Sequence, residues 1–250
     1  MFLYFDRRMM IMQIIINSVV CACALAGLII GLASFFRKRQ PLYSQLVTLA
    51  IGCAFLGRLY NVVVIICDKE IPRTFNTGVL GTIGCFMFIF SANYGEMDSL
   101  CEKKLSGNRK YTFIGFAAPL LLAAEAACIL AFSSRSFVLK VTYAAVLAFI
   151  MCAAYFNLKH LLIRDVEGGI IKSIRGYNLI SLVLEFLYAA EILFDAFDKT
   201  KPKSIVYVLM SICLLAIIPV LKKEITSWKV RQRDSFLSGG LNRKSGGAEQ

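Results

Sequence analysis

Histidine is almost missing from this chain: His160 is the only one in 250 residues, and Trp228 is the only tryptophan. A histidine-built metal site, a Ser–His pair within the membrane and a bis-histidine haem are therefore not expected. No Gly-rich phosphate loop occurs, so ATP hydrolysis would have to come from another subunit. Lysine is absent from the middle of the last apolar run, because Lys201 and Lys203 precede it and Lys222 and Lys223 follow it. That excludes a retinal Schiff base. Neither a metal nor another cofactor is expected, and an enzyme relying on Glu and Arg alone is the least favoured reading.

Charge is scarce too. Only 18% of the residues are charged, 58% are hydrophobic, and the mean hydropathy is +0.68. A soluble domain carries about 25% charged and 45–50% apolar residues. The apolar excess falls into seven runs, at 10–35, 42–67, 76–98, 112–132, 138–158, 176–196 and 204–221. Each is close to the ~20 residues that a membrane-crossing helix needs. The expected fold is an all-α polytopic membrane protein with seven transmembrane helices over residues 1–221. A basic, flexible cytoplasmic tail is expected over 222–250.

Acidic residues number 16 against 28 Lys and Arg, a net charge of +12. In a soluble protein this would suggest nucleic acid. Here the breaks after runs one, three and five, with the tail, hold 18 basic residues, and the N-terminus and other breaks, counting Lys140 at the edge of run five, hold 9. The positive-inside rule then places the N-terminus outside and the C-terminus in the cytoplasm, and accounts for the charge without nucleic acid. Arg7-Arg8 beside the first run is the local argument against this direction. That run continues past any plausible signal-peptide cleavage site, so it reads as a retained helix. Compact loops fit a multi-pass protein of the plasma membrane, here a bacterial inner membrane.

Of nine cysteines, Cys21, Cys23, Cys53, Cys85, Cys128, Cys152 and Cys213 lie inside apolar runs and read as small hydrophobes. Gly27 with Gly31, and Gly78, Gly81 and Gly84, have the spacing of small residues at helix–helix contacts. Leu59-Tyr60 matches Leu187-Tyr188 at an offset near 128, and Val79–Cys85 runs beside Val208–Cys213. This weak repeat suggests three helices, a linking helix and three more. The layout is similar to that of the SWEET and PQ-loop transporters, although no Pro-Gln pair is present.

Charged groups inside membrane spans are expensive and usually face the bundle interior or water. Arg58 lies about 13 Å below the outer end of its span. Glu185 is at a similar depth, Glu191 and Glu125 are nearer the outside, and Asn17, Asn61, Tyr143 and Tyr188 share that outer half. Asn178, Ser181, Glu185, Tyr188, Glu191 and Asp195 form a polar stripe within about 140° of span six. These groups suggest an outward-facing pocket for a small solute, with an anion as one candidate. Arg58 would be its cation, since the guanidinium fork grips carboxylate or phosphate with two hydrogen bonds. Glu185, Glu191 and Glu125 would be its carboxylates, or would carry protons. A buried Arg–Glu pair that only fixes helix packing is the plainer alternative.

A second cluster, Asn93, Tyr94, Glu96 and Asp98, lies at the inner end of span three and suits a gate, a docking point or simply a helix entering water. Lys222, Lys223, Trp228, Lys229, Arg231 and Arg233 suit a topology anchor, anionic lipid or a cytoplasmic protein. The leading expectation is a transporter or transporter subunit embedded in the lipid bilayer. The alternative is a seven-helix sensor signalling to a cytoplasmic partner.

Overall fold

Apolar runs of this length must satisfy their backbone hydrogen bonds internally once in lipid, and helices do so. The computed structural model describes residues 2–36, 40–68, 74–94, 113–162 and 173–245. Of residues 2–10, 200–201 and 230–245 it describes the backbone alone. The described residues form seven long helices: α1 Phe2–Phe35, α2 Leu42–Asp68, α3 Thr77–Ala92, α4 Ala117–Phe132, α5 Phe137–Leu162, α6 Arg175–Ala196 and α7 Thr200–Ser245.

Local chemistry sets several of the ends. The Asn76 side chain accepts the Val79 N–H at 3.1 Å and caps α3. A helical turn at 113–115 is separated from α4 by Phe116, as expected when Pro119 withholds an N–H from the first turn. Helix α6 ends with Asp198 in the left-handed region, at φ 55°. The Lys199 N–H returns to the Phe194 carbonyl at 2.8 Å and the Asp198 N–H to that of Asp195 at 3.4 Å, a Schellman ending. Helix α7 continues unbroken through residue 221, where the tail was expected to begin, to Ser245.

Six helices close into a ring in the order α1, α2, α3, α5, α6, α7, while α4 lies outside against α5 and an edge of α6. The ring is tight where glycines meet. A Cβ on Gly81 would stand 2.5 Å from the Gly57 Cα, one on Gly27 2.8 Å from the Leu214 carbonyl oxygen, and one on Gly31 2.6 Å from Thr48. Glycine spacing in α1 and α3 thus marks backbone-close contacts with α7 and α2, as small residues do between membrane helices.

The polarity is arranged for lipid. Leu120, Leu121, Phe132, Phe137, Ile205 and Ile66 are exposed, whereas Arg58, Asn157, Asn178, Ser181 and Glu185 are buried. Among the described residues five helical stretches are long and apolar enough to cross a membrane: Ile11–Phe35, Leu42–Cys67, Phe113–Phe132, Phe137–Leu162 and Pro202–Lys229. Helix α3 is a shorter apolar helix, and α6 carries Arg175, Glu185, Glu191 and Asp195. The chain is a multi-pass membrane protein with a polar interior.

Candidate functional site

The polar stripe on α6 faces inward, and the ring places other helices' polar groups along it at three levels. The middle level is built on Arg58. Gly57 is committed to the contact with α3, which turns the next side chain about 100° around α2. Arg58 is 5% exposed, and its two terminal nitrogens donate to the two carboxylate oxygens of Glu191. The Nη1–Oε1 bond is 2.8 Å. Tyr207 of α7 donates its hydroxyl to Glu191 Oε1 at 2.7 Å. The guanidinium also lies 5.0 Å from the Tyr188 ring centroid and 5.3 Å from that of Tyr207, within cation–π range. Glu191 is 17% exposed, so this level is closed but not sealed.

Nearer the α6 C-terminus, Asp195 accepts from the Tyr143 hydroxyl and pairs with Lys203. The α4–α5 connection closes over this end. Ser133 Oγ donates to the Ala196 carbonyl at 2.8 Å, and Arg135 donates to the Asp195 carbonyl at 3.1 and 2.7 Å while pairing with Asp198. A cation on the last carbonyls of a helix also complements its dipole. Arg135→Ala should therefore destabilise the protein by about 1–2 kcal/mol, measured by unfolding in mixed micelles. Asp198 is 67% exposed, so Asp198→Asn should change stability by less than about 0.5 kcal/mol. Equal losses from both would place the effect in the exposed ion pair instead of the carbonyl contacts.

Below Arg58, the Tyr188 ring meets Phe86 edge to face at 5.1 Å between centroids. This aromatic layer separates the Arg58–Glu191 pair from a third, fully buried level. There Tyr43 donates to Asn93 Oδ1 at 3.5 Å, Asn93 Nδ2 donates to Asn157 Oδ1 at 3.0 Å, and Asn157 Nδ2 donates to Glu185 Oε1. The chain crosses α2, the end of α3, α5 and α6. The other Glu185 oxygen and both polar atoms of the Asn178 amide have no hydrogen-bond partner among the described residues.

The ring thus brings together Arg58, Tyr188 and Glu191 at one level, Tyr143 with Asp195 above, and Asn93 with Glu185 below. Depth along the helices suggested Glu185 as the partner of Arg58; the pair forms with Glu191, about one and a half turns away. Glu125 is not part of this assembly, since α4 packs outside the ring, and its Oε1 has no partner among the described residues. Asn17 is buried and donates to the Gln13 carbonyl at 2.9 Å. Asn61 packs against Gly78 at the α2–α3 contact. Tyr94 is exposed and stacks on Phe90, and Glu96 and Asp98 lie outside the described residues.

Tyr43, Asn157, Tyr207, Arg135 and Lys203 join these clusters without having been singled out in the sequence. Asn157 carried a signal, as the lone amide in an apolar run, close to its inner end. Among the described residues no three His, Cys, Asp or Glu side chains gather so as to hold a metal ion. The chain matches no family model, no curated protein and no solved structure. Its function is read from the site alone.

Proposed function

We propose that the chain is a transporter, or the membrane subunit of one, and that a small anionic solute reaches Arg58 from the outer side by exchanging with Glu191. The observation that carries this reading is the Arg58–Glu191 pair, joined across the ring axis by two helices that do not neighbour each other in the ring. Transporters built from parallel repeats hold their solute at the interface between repeats. The packing of α1 on α2 and α2 on α3 is matched by that of α5 on α6 and α6 on α7, with α3–α5 and α7–α1 as the two seams. This correspondence supports the three-plus-one-plus-three plan, with α4 as linker. Arg58 then belongs to one half and Glu191 to the other.

A carboxylate or phosphate oxyanion offers the guanidinium the same two acceptors as Glu191. Bound there, it would break the link between the halves and leave Tyr207 and Tyr188 as its walls. This chemistry goes with all seven helices crossing a plasma membrane, N-terminus outside, in a bacterial inner membrane. The basic residues from Lys222 to Lys229 would then lie at the cytoplasmic surface, within reach of anionic lipid or a protein partner.

The test is solute entry into proteoliposomes, with labelled small carboxylates and inorganic phosphate as probes. Wild type is expected to accumulate at least one. Tyr207→Phe, which removes one hydrogen bond on Glu191 and keeps the ring, should change the uptake rate about tenfold or more. Binding without entry would replace transport with sensing. That second reading has its own support. Helix α7 carries Tyr207 at the site and continues past Pro219 to Ser245, a helical path of about 57 Å from one to the other.

A further inference from the structure

We propose that Glu185 is a proton-binding site, held at the end of the Tyr43–Asn93–Asn157 hydrogen-bond chain on the inner side of the aromatic layer. The Glu185 side chain is 0% exposed. One oxygen accepts from Asn157 and the other accepts nothing among the described residues. An ionised carboxylate needs a cation or several donors to stay buried. Arg58, the cation that depth along the helices paired with it, is held by Glu191 in a two-pronged pair.

Among the described residues the neighbouring ion pairs go to other acids: Arg58 to Glu191, Arg135 to Asp198 and Lys203 to Asp195. On α6 itself Tyr177 is the titratable neighbour, and on α3 it is Cys85. Helix α5 contributes Asn157, with His160 one turn beyond it, and α2 contributes Tyr43 at the far end of the chain. On α7, Tyr207 is bound to Glu191, Lys203 to Asp195, and Glu224 accepts the N–H groups of Gly176 and Tyr177. Glu125 lies on α4, which also touches α6. Among the described residues no hydrogen-bond donor reaches Glu185 Oε2. A proton on Oε2 removes the buried charge and turns the unpartnered acceptor into a donor.

The chain of amides ties Glu185 to one end of the ring. Tyr43 lies in the first turn of α2, Asn93 follows the end of α3, and Asn157 lies near the end of α5, so the chain leads from Glu185 to the inner end of the ring. Toward the outer end, the Tyr188–Phe86 contact intervenes before the Arg58–Glu191 level. When Glu185 ionises, Asn157 donates to it, as in this structure. When Glu185 is protonated on Oε2, Asn157 goes on donating to Oε1; the one bond formed is the O–H, its proton taken from water, while the amides hold the other oxygen in place. The site deepens the transport reading, because a proton bound here would be the coupling ion.

The test is infrared spectroscopy of the full-length chain in lipid nanodiscs at neutral pH, reading the carboxylic-acid C=O band. Wild type should show a band that is lost in E185Q and kept in E191Q and E125Q. N157L should displace that band, since it removes the donor on Oε1. Where E185Q does not assemble, E185D keeps an acid and should show a displaced band. An unchanged spectrum in E185Q, or a Glu185 band that N157L does not move, overturns the proposal. So does a band that appears only when Na+ is withdrawn, which would make the occupant a metal cation. The readout needs no flux: the band without solute entry would sink transport alone, and entry without the band would sink the proton site alone.

Discussion

Replacing Gly81 with leucine is expected to abolish the docking of α3 on α2 and to destabilise the protein by about 3 kcal/mol or more, at or above the usual range for overpacking. The reason is what the new side chain would meet. Its Cβ alone would stand 2.5 Å from the Gly57 Cα and 2.7 Å from both the Gly57 nitrogen and the Cys53 carbonyl oxygen. These are backbone atoms of a rigid helix, so no rotamer change relieves the clash and the helices must separate. Separation would forfeit close packing along the interface, and van der Waals packing drives helix association in lipid. Gly52 supplies the control. A Cβ there meets the flexible Leu28 side chain at 3.3 Å, and Gly52→Ala should change stability by less than about 1 kcal/mol. Unfolding in mixed micelles measures both, with the monodisperse fraction reporting assembly. Similar behaviour in the two variants would mean that the α2–α3 contact is not tight.

The same two glycines show where the sequence was legible. The segment from Phe55 to Asn61 stands out from generic apolar helix without declaring why. In the folded ring Gly57 meets Gly81, Asn61 meets Gly78, and Arg58 enters the axis. Helix positions were legible because a bilayer imposes one length and one polarity on every crossing. The inward face of α6 was legible because its polar groups recur with helical period. Which carboxylate meets Arg58 was not. A long guanidinium side chain reaches beyond its own level, and the offset between α2 and α6 is set by contacts with other helices. Tyr207, Asn157 and Tyr43 escaped for a related reason, since a tyrosine or asparagine in an apolar run has no visible partner until the ring closes. Likewise, spacing along the chain says nothing of α4 lying outside the ring, which separates Glu125 from the site that its depth suggested.

Arg58→Ala should destabilise the protein by about 3–5 kcal/mol, because it leaves Glu191 inside the bundle without its cation, with the Tyr207 hydroxyl as its remaining hydrogen-bond partner among the described residues. Glu191→Ala should be comparably harmful, leaving a cation against two tyrosine rings. The decisive variant is the pair replaced together, Arg58→Met with Glu191→Leu. Apolar residues of similar volume in place of a buried ion pair are often neutral or stabilising, so the double variant should recover most of the loss. The excess of the two single losses over the double one measures the coupling. If the pair served only to hold α2 against α6, the recovered protein would also recover its activity. The transport reading requires the opposite: a double variant that assembles like wild type, unfolds at a similar denaturant concentration and takes up none of the anions that wild type accumulates. Restored folding with restored uptake would reduce Arg58 and Glu191 to a structural tie. Restored folding without uptake would identify Arg58 as the group the solute needs.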